Sequence, residues 1–134
     1  MAKMTQIKIS DSMWALLQRK HLTDKDLVLI ADDGGGKYSL HGGACTIGTQ
    51  FTLIVLDQPD PDYAVKINNE RGLRLWSSAY NLYFFDTGLT LDVQHHSILI
   101  KDDAHLLDSA VQIADGPAVL AAFQQGVTAH GETC

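Results

Sequence analysis

Gly42-Gly43-Ala44-Cys45-Thr46-Ile47-Gly48, followed after Thr49-Gln50 by Phe51-Thr52-Leu53-Ile54-Val55-Leu56, decides how this chain is read. The second half is a continuous apolar run of strand-forming residues, which predicts a core strand. The first half is a glycine-rich bend that feeds it. Glycine allows positive φ and close backbone approach. A thiol on such a bend can project from the scaffold instead of packing inside it. Cys45 is the only internal cysteine, because Cys134 is the last residue. Thiolate chemistry at a fixed place points to Cys45.

Outward from this stretch, short apolar runs recur on both sides. Residues 27–30 predict a strand, and residues 32–37 a loop on composition. Gln58-Pro59-Asp60-Pro61-Asp62-Tyr63 predicts a turn, since its prolines cannot continue a ladder. Residues 63–67, 73–75, 89–93 and 97–100 alternate or run apolar as strands do, with His95-His96 as a corner between the last two. Residues 77–85 fit either a short helix entered at Ser77 or Ser78 or part of a strand. Residues 111–113 are a weak last strand. At the N-terminus Ile7-Lys8-Ile9 reads as a strand. Ser10 or Asp11 then caps a helix to about Lys20 whose Met13, Leu16 and Leu17 face the core. Gly116-Pro117 opens a last helix to about Gln125, with Pro117 at its first position, and residues 127–134 read as a mobile tail. About seven closely spaced strands with helices at both ends predict a mainly β, sandwich-like fold. It carries an N-terminal helix, a short middle helix and a C-terminal helix.

The chain has 134 residues, one domain's worth. A fold of that length buries roughly two-thirds of the unfolded surface and needs no disulfide or structural metal. Its net charge of −6 disfavours nucleic acid and anionic membranes as partners. The first residues lack an apolar signal region, and no apolar run approaches a bilayer span. Two cysteines without framework spacing fit a reducing compartment, so the expectation is cytoplasmic.

Other motifs are weighed and set aside. Gly34-Gly35-Gly36-Lys37 lacks the first glycine of a phosphate loop, and Tyr38 stands where Ser or Thr must bind magnesium. Asp32 and Asp33, or Asp57, Asp60 and Asp62, lack the ligand order of a calcium loop; Asp60 and Asp62 between prolines are expected to stabilise turns. His95 and His96 would point to opposite faces of a strand and cannot share an ion unless the backbone turns between them. His41 lies four residues before Cys45, and such a pair can bind a metal or lower the thiol pKa. Two ligands do not complete a site. Cys45 can equally be a small buried apolar residue.

Four pieces in order resemble the HesB/IscA-like, A-type iron–sulphur assembly family: residues 7–12, the bend at 43–48, the strand and acidic proline turn at 51–62, and the strand, helix, turn and strand across 72–92. The resemblance covers about residues 7–113. It implies a compact β-sandwich-like domain, here residues 1–115, with residues 116–134 forming an added helix and tail. It also implies a non-enzymatic protein that dimerises or tetramerises and binds iron or an iron–sulphur cluster. Its partners would be the assembly machinery or apo-protein clients. Family members use one cysteine at the bend and two as Cys-Gly-Cys near the end. Only the first carries over, onto Cys45. The pair would fall at residues 108–112, which hold no cysteine. His41 is expected to serve as an auxiliary metal ligand, and Cys134 to substitute from the tail for a missing cysteine. The alternatives are a binding or adaptor module that kept the domain without the cofactor, and a thiol redox sensor using Cys45.

Overall fold

The computed structural model describes residues 5–32, 38, 50–82, 88–103 and 105–124. Two strands organise it. β2 (Asp26–Asp32), the second strand in chain order, is buried at every position. It pairs antiparallel with β3 (Gln50–Leu56), Asp26 opposite Leu56 and Asp32 opposite Gln50. Side chains alternate across a strand, so the two together separate two cores. On one face Leu27, Leu29, Ala31, Phe51 and Leu53 join the larger core. On the other, Val28, Ile30, Ile54 and Leu56 pack with Tyr38, Ala114 and Val119. A run without polar alternation is what burial on both faces requires.

The remaining elements are β1 (Ile7–Ile9), α1 (Asp11–Arg19), β4 (Val65–Lys66), β5 (Arg74–Ser77), α2 (Ala79–Leu82), β6 (Leu89–Gln94), β7 (Ser97–Lys101), β8 (Leu106–Asp108), β9 (Gln112–Asp115) and α3 (Gly116–Gln124). A five-stranded sheet has the order β4-β5-β2-β3-β9, and a four-stranded sheet the order β1-β6-β7-β8. Ile7, Ile9, Leu89, Leu91, Ile98 and Ile100 fill the larger core from the second sheet, with Met13, Leu16 and Leu17 from α1. The fold is mainly β in two mixed sheets with three helices, as the sequence predicts. No helix among the described residues is long and apolar enough to cross a membrane.

Side chains fix the register. Asp26, itself buried, accepts from Trp76 Nε1 at 3.0 Å and lies 3.3 Å from Arg74 Nε, which locks parallel β5 onto β2. Ser10 caps α1 by accepting from the Met13 N–H at 3.1 Å. The helix ends in a left-handed residue, His21 (φ +59), with its N–H on the Gln18 carbonyl and that of Leu22 on the Leu17 carbonyl.

Three details differ from the sequence reading, and one alternative it left open is resolved. β8 was not expected. Residues 63–67 yield only the two-residue β4, because the Tyr63 N–H closes a turn onto the Asp60 carbonyl at 2.9 Å. Within residues 77–85, Ser77 ends β5 and the short helix enters at Ser78, whose Oγ accepts from the Asn81 N–H at 3.3 Å. Gly116, not Pro117, is the first residue of α3, and Asp115 Oδ2 caps it by accepting from the Ala118 N–H. The tail at 127–134 lies outside the described residues.

Candidate functional site

Cys45, His41 and Cys134 all lie outside the described residues, as does the Gly34–Lys37 motif, at 34–37. The frame around Cys45 is described. Asp32 ends β2 opposite Gln50, the start of β3. The segment carrying His41 and Cys45 therefore leaves the sheet and re-enters it at one end.

Residues 108–112 are at this end too. Asp108 Oδ2 accepts from the Phe51 N–H at 2.9 Å, and its Oδ1 accepts from the Ala110 N–H at 2.9 Å. Four residues later Gln112 is paired with Thr52. The place expected for the second half of the ligand set thus lies against the first residues of β3, six positions along the chain from Cys45. No thiol stands there. Asp108 is there instead, with one oxygen on each of two backbone N–H groups. A carboxylate so engaged clasps the β8–β9 connection to β3.

A second clasp lies on the β2 side. Asn81, buried in α2, accepts from the Ala31 N–H at 3.1 Å through Oδ1 and donates to Ser78 Oγ at 2.9 Å. β5 pairs with β2 only as far as Val28. The Asn81 amide takes over where that strand has stopped. Both strands flanking the Cys45 segment are thus held near this end by a side-chain oxygen on a backbone N–H. Sequence reasoning missed both clasps. The Asp-Ser-Ala order at 108–110 is a signal for the Asx turn that Asp108 makes. Asn81 gives none beyond being an amide between Tyr80 and Leu82.

The donor set can be tested against an iron–sulphur cargo. Clusters are generally held by thiolates. Residues 108–112 offer none, and both oxygens of Asp108 are committed, so this half does not fit a cluster. Among the described residues no group of three His, Cys, Asp or Glu side chains is placed to hold an ion. His95 and His96 form the two-residue turn between β6 and β7, both with positive φ (+52 and +64). The backbone does turn between them, but no third donor joins them among the described residues. Asp60 builds its turn as expected: Oδ1 accepts from the Asp62 N–H at 2.9 Å and Oδ2 from the Tyr38 hydroxyl at 2.6 Å.

One carboxylate is strongly perturbed, and it lies at the mouth of α1. Asp92 is held down to about 2, chiefly by the Ser10 hydroxyl, which donates to Oδ1 at 2.6 Å; burial opposes this, and Ser12, Gln94 and the Val93 N–H assist. It ties α1 to β6 and belongs to no group of three potential metal ligands among the described residues.

Comparison with known proteins places this frame. A crystal structure of a candidate Fe–S biosynthesis protein from Lactobacillus acidophilus superposes with a TM-score of 0.79 at 38% identity, over 90% of this chain and 97% of that one. A second, from Lactobacillus salivarius and described as a novel fold, gives a TM-score of 0.61 at 22% identity, over 82% of this chain and 97% of that one. The second likeness is one of fold alone. No curated protein matches the chain. The family model for iron–sulphur cluster biosynthesis matches residues 5–115, from Thr5, two residues before β1, to the end of β9. By that match and by the first structural relative, the chain belongs to the iron–sulphur cluster biosynthesis family.

Proposed function

We propose that the protein is a non-enzymatic iron or iron–sulphur binder of the cytoplasmic assembly machinery, passing its cargo to apo-protein clients, with Cys45 as the principal ligand. One observation carries the reading. The segment bearing Cys45 and residues 108–112 converge on one end of the β2–β3 pair. This supports a site where the family resemblance implies one, although residues 108–112 hold no thiol. One chain contributes Cys45, with Cys134 as a further thiolate and His41 as an auxiliary donor. A second copy, or external thiols, completes the four-ligand shell that a cluster takes.

Anaerobic reconstitution with iron and sulphide tests this. Wild type is expected to develop visible charge-transfer absorption, and Cys45→Ser to lose most of it. A colourless wild type, or an identical spectrum in the variant, rejects the proposal.

A second reading is a family member that works as a binding module without a cofactor. It is favoured by the commitment of both Asp108 oxygens to backbone N–H groups. That reading expects the colourless wild type. α3 is a poor candidate for its docking element, since Val119 is buried in the outer core and Leu120 packs against it.

A further inference from the structure

The two clasps meet on one rung of the β2–β3 ladder. Ala31 lies directly opposite Phe51, yet neither gives its N–H to the other. The Ala31 N–H points outward to Asn81 Oδ1 at 3.1 Å. The Phe51 N–H points outward on the opposite side, to Asp108 Oδ2 at 2.9 Å. Opposed residues of an antiparallel pair alternate between facing inward and facing outward, so this rung faces out on both sides. Neighbouring strands do not reach it: β5 pairs with β2 only as far as Val28, and β9 pairs with β3 only from Thr52. Side chains stand in for the absent strands. We propose that Asn81 and Asp108 form one two-sided latch, and that this end of the β2–β3 pair opens as a unit when either is released, while the rest of the ladder stays paired.

Three features make the two bonds one device. Ala31 and Phe51 are both buried, at 4% and 3% exposure, and both belong to the larger core. A buried N–H stripped of its acceptor is costly, so each strand end depends on its clasp. Outward-facing partners lie close, with Cα atoms about 4.5 Å apart, so moving one displaces the other. Only one pair lies beyond the rung, Asp32 with Gln50, and little else holds the end shut from the ladder itself. These are the two points where the chain at 33–49 joins the sheet. Segments that move on binding are drawn from regions that open locally at low cost, and the latch sets that cost here. The proposal goes beyond the functional reading and holds whether or not Cys45 carries a cluster.

Native-state hydrogen exchange on the full chain, followed by NMR, decides it. In wild type the Ala31 and Phe51 amides should show similar protection, and both should exchange faster than the Ile54 amide in the middle of the ladder. The signature is a cross effect. Asp108→Ala removes no bond made by Ala31, yet should speed exchange at Ala31 about tenfold, the order expected when a buried amide loses its acceptor. Asn81→Ala should do the same at Phe51. Asp108 is only half-buried, so Asp108→Ala carries the test by itself if Asn81→Ala fails to fold. Asp26→Asn loosens the contacts to Trp76 and Arg74 at the far end of β2. It should speed exchange at Ile54, which opens with the whole fold, and leave Ala31 and Phe51 unchanged. Unaltered exchange at Ala31 in Asp108→Ala would show two independent bonds and overturn the latch. A rise at Ala31 and Phe51 in Asp26→Asn equal to that at Ile54 would overturn it too, because this end would then open only when the whole fold does.

Discussion

Ser10 shows how much one hydroxyl can organise. Its oxygen accepts from the Met13 N–H to cap α1, and its proton goes to Asp92, 82 positions away. Cap and tether are one group, so Ser10→Ala removes both. Loss of a serine cap alone costs about 1 kcal/mol. The tether has a separate signature in pH. Asp92 titrates near 2 in the folded chain against an ordinary 3.8, so its contribution is fully present above 3.8 and is lost as pH falls through about 2. In Ser10→Ala the Asp92 pKa should move up toward the ordinary value, and the loss of stability on acidification across that window should shrink. NMR titration of the Asp92 carboxyl carbon, alongside urea unfolding at several pH values, measures both. An unmoved pKa would show that Ser12, Gln94 and the Val93 N–H suffice without Ser10. The cap was legible in the sequence, because Ser-Asp before a helical apolar pattern is a local signal. Asp92 as partner was not, since nothing local links positions so far apart. The same holds for Asn81 and Asp108, whose roles exist only once β2 and β3 lie beside them.

Among elements, legibility follows length and burial. β2 and β3 are long, apolar and buried on both faces, so their composition alone reveals them. β8 is three residues at a sheet edge, with Leu106 59% exposed and a register irregularity against β7. No periodicity can be read from so short a run. α3 was legible through Gly116-Pro117, but the reason for the glycine was not. Gly116 presses on β3: a Cβ there would lie 2.8 Å from the Val55 carbonyl oxygen and collide with Leu56. Its φ is not positive, so the demand is for space alone. Gly116→Ala should therefore destabilise the fold by about 1–3 kcal/mol, the cost of overpacking, despite alanine's better helix propensity. A urea midpoint equal to wild type would mean that α3 can shift outward without loss.

At the scale of the whole molecule, the family match ends at residue 115 but the packing does not. Val119 of α3 closes the outer core over Val28, Ile30 and Ile54, so this helix completes the sandwich on its second face. On the proposed cluster-binding reading, one molecule does not complete the ligand set. A cluster takes about four thiolates, and the sequence provides Cys45 and Cys134. Two chains related by a two-fold axis provide four, with the same residues from each partner. If the protein carries a cluster, the loaded form should therefore sediment as a dimer with one cluster per pair of chains, while the unloaded form need not. Cys134→Ser should leave the pair dependent on added small thiols, such as dithiothreitol or glutathione, to complete the shell. Sedimentation velocity followed at both protein and cluster absorption, with iron and sulphide assayed on the same fractions, gives the stoichiometry directly. A monomer carrying a full cluster in thiol-free buffer would contradict the shared site, because donors from one chain would then have sufficed. A dimer whose cluster content is unaffected by Cys134→Ser, again without added thiol, would assign the missing ligands to groups other than the tail cysteine, with His41 the next to substitute.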